Sequence, residues 1–149
     1  MNTAESNADA EVEKTNITAD IRKLFASYGP TFVELADGER SDVKALLDFY
    51  GAPLRFIGPN FHMVMKSDDD ITGEEGMGGE IGRLRRAHFA GSTLDKCDIR
   101  VLNARAVLVD ALWLRRDEAG SLMERFGVIY LVALTSAGWR ITSAVNIAV

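Results

Sequence analysis

The sequence predicts an α+β fold: three helices from the first half of the chain, packed on a strongly curved antiparallel sheet. Three observations predict it. Four segments between Leu94 and Val149 have strand-like length and apolar content and are joined by short turns. Ahead of them, apolar residues recur at helical spacing. The closing segment from Gly138 runs apolar to Val149, which calls for burial in a sheet, because a free apolar end is costly in water.

Residues 1–16 are acidic with few large apolar side chains, and are expected to form a disordered tail ahead of a single domain over residues 17–149. Thr18 is placed to cap a helix, expected to start there, whose Ile21, Leu24, Phe25 and Tyr28 keep helical spacing. Gly29-Pro30 should interrupt or kink it before the pattern resumes at Phe32, Val33, Leu35 and Ala36. Ser41 opens a second helix carrying Val43, Leu46, Leu47 and Tyr50, ended by Gly51 and Pro53. Leu54–Ile57 and Phe61–Lys66 read as a hairpin about Gly58-Pro59-Asn60, followed by a solvated turn at Asp68-Asp69-Asp70. A third helix is expected between Thr72 and Phe89. Each of its glycines, Gly73, Gly76, Gly78, Gly79 and Gly82, costs roughly 1 kcal/mol against alanine. Either it starts late, near Glu80, or its first half is a flexible edge. The strands are Leu94–Asn103, Arg105–Arg116, Leu122–Thr135 and Trp139–Ile147, turned at Asp117-Glu118-Ala119-Gly120 and Ser136-Ala137-Gly138.

Composition narrows the class. With 149 residues, 47% apolar and 26% charged, the chain suits one soluble globular domain. Of its net charge of −5, the first sixteen residues hold −3, from four acids against Lys14. The remainder is too close to neutral for a nucleic-acid footprint. A single cysteine, Cys97, leaves no intrachain disulfide and no all-cysteine metal site within this sequence. The opening MNTAESNADAEVEK lacks the basic and apolar regions of a signal peptide, and the longest apolar stretch, Phe126–Leu134, is too short to span a bilayer. The expectation is a cytoplasmic protein with neither nucleic acid nor membrane as partner and no cofactor.

Side chains alternate across a strand, so each strand divides into two faces. Val107, Val109, Ala111 and Trp113 share one face; Ala106, Leu108, Asp110, Leu112 and Leu114 share the other. In the next strand Phe126, Val128, Tyr130, Val132 and Leu134 oppose Ile129, Leu131 and Ala133. Neither face is polar. One suits the helices, and the other needs a cover, which a second copy supplies as a homodimer through the outer sheet face; a sheet curled enough to hide both faces is the alternative.

The segment Phe32-Val33-Glu34-Leu35-Ala36-Asp37-Gly38-Glu39-Arg40-Ser41-Asp42-Val43 resembles the first helix, acidic-glycine turn and second helix of the nuclear transport factor 2-like superfamily. Ile71-Thr72-Gly73-Glu74-Glu75 is similar to the entry to that group's third helix, and Gly138-Trp139-Arg140-Ile141 to the opening of its last strand. The group includes ketosteroid isomerases, SnoaL-like polyketide cyclases and scytalone dehydratases. The resemblance covers residues 17–149 and implies a cystatin-like cone with an apolar pocket between helices and sheet. Its catalytic residues transfer poorly. Phe32 falls where ketosteroid isomerases keep an oxyanion tyrosine, and Gly58 where they keep the general-base aspartate. Tyr130 falls close to their protonated oxyanion aspartate. Fold membership alone does not convey function.

Asp110 stands mid-strand among Ala106, Leu108, Leu112 and Leu114, where desolvation would raise its pKa toward general acid or base work. The alternative is a structural pair with Arg100 or Arg125. His88 shares a helical stripe with Ile81 and Leu84, and His62 a strand face with Val64 and Lys66. The candidate catalytic set is therefore Asp110 or His88 to move a proton and Tyr130 to hold an oxygen. Tyr28, Phe32, His62, Trp113 and Asn146 are the candidate ligand contacts, with no metal site expected. Met63, Met65 and Met77 suit an adaptable entrance, and Arg83, Arg85 and Arg86 suit an anion or a solvated helix face. Gly76-Met77-Gly78-Gly79 follows no strand and lacks the lysine of a phosphate cradle. Two readings follow: a protein that binds a small, largely apolar molecule, with acid/base chemistry open to it, or a non-catalytic dimerisation or interaction module.

Overall fold

The computed structural model describes residues 3–149, with side chains from residue 7 onward. Ile17, Ile21, Phe25, Tyr28, Phe32 and Leu35 form a seam at helical spacing on α1 (Thr3–Ala36), and all six are buried. The helix runs through Gly29-Pro30 without ending there. Gly29 lies beside the Trp113 ring, at ordinary contact distance for even an added Cβ, so tertiary packing holds the segment helical. The acidic segment expected as a disordered tail is helical from Thr3, while residues 7–16 are all exposed. Ala4, Ala8, Ala10, Glu11, Glu13 and Lys14 are strong helix formers, which explains a helix that packs against nothing there.

The second expected helix is one short 3-10 turn, Val43–Asp48, capped by Asp42 through its bond from Lys44 N (3.0 Å), and Tyr50 already belongs to a strand. The hairpin follows as expected, with β1 (Tyr50–Ile57) pairing β2 (His62–Met65). The aspartate run is not a loose turn but α2 (Asp68–Thr72). Ser67 accepts from Asp70 N at 3.2 Å, and the Asp70 carboxylate accepts from Ser67 N, a capping box that buries Ile71. The third helix is α3 (Met77–Arg86), which presents Met77, Ile81 and Leu84 inward.

The last four strands are β3 (Phe89–Asn103), β4 (Ala106–Asp117), β5 (Leu122–Thr135) and β6 (Gly138–Ile147). Sheet order is β2-β1-β6-β5-β4-β3, and β1 pairs β6 in parallel, so the sheet is mixed where an antiparallel one was expected. The long helical stretch between β2 and β3 allows the chain to cross over and place β1 beside β6. Val107, Val109, Ala111, Trp113 and Arg115 alternate as the buried face of β4, and α1 lies across the same side of the sheet on β3. Burial of the apolar chain end stops short of its last residues: Ile147 is 37% and Val149 61% exposed. No helix among the described residues is long and apolar enough to cross a membrane.

Candidate functional site

Register places the site. Arg115 pairs with Glu124, Trp113 with Phe126, Ala111 with Val128 and Val109 with Tyr130, so one face of β4 and β5 carries an aromatic floor with charges at one end. Across β5, Val128 pairs with Asn146, which adds an amide from β6. Tyr28 and Phe32 come down from α1, Met77, Glu80 and Arg83 from α3, and Phe56 and Met63 from the first hairpin. Together they enclose a cavity of about 300 Å³, at the small end for a ligand pocket.

At its inner end three tyrosines meet. Tyr28 and Tyr50 share a short hydroxyl–hydroxyl hydrogen bond, and Trp113 Nε1 donates to Tyr130 Oη at 2.8 Å. Trp113 thus fills a lone pair of Tyr130 and leaves its hydroxyl proton to be donated. Burial, and then the neighbouring phenols, push all three hydroxyls well above their ordinary pKa. They stay protonated, and within the Tyr28–Tyr50 pair one hydroxyl donates while the other accepts. Tyr28 also packs edge-on against Phe49, Tyr50 and Trp113, with ring centroids 5.4–5.8 Å apart.

At the other end stands an ion cluster. Arg115 Nη1 donates to Glu80 at 2.9 Å and to Glu124 at 3.0 Å, while Arg83 Nη2 bridges the same carboxylates at 2.7 and 2.8 Å. Burial alone would raise the Glu80 carboxyl, but its hydrogen bonds from Arg83 and Arg115 and their charges outweigh burial and hold it below the ordinary value. Arg115 is only 8% exposed, with its guanidinium 4.4 Å from the Phe126 ring centroid and 5.3 Å from that of Phe32. Two of the residues that line the cavity each carry a buried polar atom without a protein partner, Arg115 Nε and Asn146 Oδ1.

Of the residues expected at the site, Tyr28, Phe32, Trp113, Tyr130 and Asn146 line this cavity. Asp110, His88 and His62 do not. Asp110 lies on the outer face, bonded by Lys96 Nζ at 2.9 Å; Lys96 also reaches Asp98, which stands opposite Asp110, so the pair is structural and its cation is neither expected arginine. His88 falls beyond α3, because that helix ends at Arg86. It adopts φ 61° in the following turn, with its side chain 76% exposed near Glu118. His62 opens β2 on the solvent side, 3.1 Å from Arg55 Nη1. Met63 and Met77 line the cavity, whereas Met65 is in the core. Arg85 instead donates to the Leu35 and Arg40 carbonyls, tying α3 to the end of α1.

Sequence reasoning missed Tyr50, Glu80, Arg115, Glu124 and Phe56. Two of these carried a signal. Arg115 is the next step of the alternation Val107, Val109, Ala111, Trp113, and Glu124 precedes Phe126, Val128, Tyr130 by the same step. Among the described residues no three His, Cys, Asp or Glu side chains are grouped to hold a metal ion.

A family model described as NTF2-like protein (DUF6841) matches residues 19–148. The fold is shared with an NTF2-like protein of cystatin-like fold from Novosphingobium aromaticivorans, at 21% identity and TM-score 0.67 over 95% of this chain and 87% of that one. An NTF2-like superfamily protein from Salmonella enterica aligns at 18% identity and TM-score 0.63, over 91% of this chain and 92% of that one. A protein of unknown function from Shewanella oneidensis aligns at 15% identity and TM-score 0.60, over 87% and 97%. No curated protein matches the sequence.

Proposed function

The chain belongs to the NTF2-like family DUF6841, and from that premise we propose that it binds a small, largely apolar, ring-containing molecule between α1, α3 and the inner face of the sheet. The observation that carries this reading is the cavity of about 300 Å³ walled by Tyr28, Phe32, Phe56, Trp113, Phe126 and Tyr130. Aromatic walls recognise a flat apolar body, and protonated tyrosine hydroxyls hold an oxygen on it. Acid/base turnover of the isomerase, dehydratase or cyclase kind would need a free base. Asp110 and His88 are elsewhere, and both cavity carboxylates are held by Arg83 and Arg115. Binding is therefore the primary role in this reading. A reducing, cytoplasmic setting suits the lone Cys97, whose thiol is pushed up in pKa by burial.

Thermal shift against a panel of one- to three-ring ketones and phenols tests the reading. A compound at a hundred times its Kd adds about 2.7 kcal/mol, a rise of roughly 5–10 °C in Tm for a domain of this size. Met63→Trp, which fills the cavity mouth at a half-buried position, is expected to lose those shifts while its own stability changes by about 1–3 kcal/mol at most. A panel without any shift in the wild type, or with equal shifts in Met63→Trp, sinks the proposal.

A second proposal concerns the outer face, where Leu108, Leu112, Ile129, Leu131 and Val145 remain only half-buried and Ile147 is exposed. A second copy covering that face accounts for its apolar character. Light scattering at micromolar concentration is expected to give a dimer for the wild type and a monomer for Ile129→Glu. A monomeric wild type removes the idea.

A further inference from the structure

We propose that Trp113 sets the length of molecule the pocket accepts: its indole is a partition between the aromatic cavity and an apolar groove beyond it, and a smaller side chain there joins the two into one elongated site. The proposal rests on the pocket reading above and narrows its ligands to compact ones. The groove, of about 620 Å³, runs between α1 and β3, with Phe25, Pro30, Val33 and Leu94 in its wall. Among the described residues only Ser92 and Trp113 line both the groove and the cavity. Sheet register explains why. One rung carries Leu94, Trp113 and Phe126, and the next on that face carries Cys97, Ala111 and Val128. Leu94 and Cys97 line the groove, Phe126 and Val128 the cavity. Three adjoining strands span about 10 Å, so the two spaces lie side by side with β4 as the ridge between them.

A single side chain closes that ridge against the helix. Ala111, the neighbour of Trp113 on the same face, is too small to form a wall. From above, α1 presents Gly29, which lines the groove and contributes no side chain. A Cβ added at Gly29 would lie 3.8 Å from Trp113 Cη2 and 3.9 Å from Cζ3, so the indole already spans the gap from sheet to helix. The opposite edge of the ring is held as well. Nε1 donates to Tyr130 Oη at 2.8 Å, and the Tyr28 ring packs edge-on at 5.8 Å between centroids. A side chain held along both edges is a fixed stop rather than a swinging gate. Shortening it leaves an apolar path from Phe126 to Leu94, along which a longer ligand buries more of its surface.

Isothermal titration with two ketones tests the partition: acetonaphthone, and the same ketone carrying a phenyl group on its remote ring. In the wild type the phenyl group meets the indole, and the extended ketone is expected to bind no tighter than the compact one. In Trp113→Leu the extended ketone should bind about tenfold or more tighter than the compact one, because its extra ring is buried in the groove. A merely loosened fold would weaken both ketones together. Trp113→Phe keeps an aromatic ring beside Tyr28 but falls short of Gly29. It should shift the preference the same way by a smaller factor, and it covers the case in which the leucine variant does not fold. Adding Leu94→Trp refills the gap from the groove side and should return the preference to the wild-type value. A wild type that already favours the extended ketone, a preference unchanged in both variants, or one that survives Leu94→Trp overturns the partition, while acetonaphthone binding leaves the pocket reading standing. Binding of neither ketone by any form overturns both.

Discussion

Arg115→Met is expected to lower stability by about 2–3 kcal/mol at pH 7, with a fall in Tm of roughly 5–10 °C. Removing one partner of a buried ion pair costs about 3–5 kcal/mol when the other charge is stranded. Here the stranding is partial, because Arg83 still reaches Glu80 and Glu124 and their side chains are 29% and 32% exposed. The lower figure follows. Methionine keeps most of the apolar contact with Phe32 and Phe126, so the loss is mainly one of charge. Its pH dependence identifies it. In the wild type the Glu80 carboxyl is held below its ordinary value of 4.5 by the arginines against the opposing effect of burial. A depressed folded pKa stabilises fully above the unfolded value and ceases to as the pH falls through the folded one. With Arg115 gone, burial weighs more and that depression shrinks. The stability gap between wild type and Arg115→Met should therefore be full at pH 6–8 and close as the pH drops below about 4.5. Urea unfolding at pH 7 and at pH 3.5 measures it. A gap of equal size at both would assign the loss to packing on Phe126 instead.

The same cluster shows how far the sequence could be read. Strands are legible because period-two alternation is local, and β4 and β5 fall within one or two residues of expectation. Tyr28, Phe32, Trp113, Tyr130 and Asn146, which line the cavity, are legible as a set because their apolar or aromatic neighbours mark the faces they occupy. Arg115 and Glu124 continue those faces but carry charges, and a charge at a strand end reads as solvent-facing until the register sets it against its partner across the sheet. Asp110 is the converse. A lone carboxylate in an apolar row looks catalytic, yet that row faces outward, and its cation, Lys96, reaches it from β3 across a bulge that strand alternation does not reveal. His88 was misplaced by two residues of helix: α3 stops at Arg86, and the side chain that would have pointed inward sits in a left-handed turn. Tyr50 and Glu80 depend on β1 crossing to β6 and on α3 docking, which are tertiary facts.

The glycines ahead of Glu80, which read as weakness in a helix, have a different role, and two alanine substitutions three residues apart separate the two. Gly79→Ala is expected to cost about 3 kcal/mol or more and to abolish ligand binding. A Cβ at Gly79 would overlap the Glu74 carbonyl oxygen, and one at Gly76 or Gly78 would overlap the carbonyls of Asp70 and Thr72. These are backbone atoms of α2 and the loop after it, so no side chain can rotate away. The absence of Cβ atoms is what lets α3 start tight against α2, held by Gly79 N bonding to the Gly73 carbonyl at 3.2 Å. That start sets Met77 and Glu80, which flank Gly79, into the cavity wall. Gly82 has no such constraint. Its nearest atom is the far end of the Arg86 side chain at 3.3 Å, which can move. Gly82→Ala should stabilise the protein by about 0.5–1 kcal/mol, the ordinary helix gain on restricting the unfolded chain. Opposite signs on one helix would establish that close backbone approach, rather than poor helix propensity, keeps glycine at the head of α3. Equal losses at both positions would refute the close approach and return Gly79 to the ordinary cost of a helix substitution.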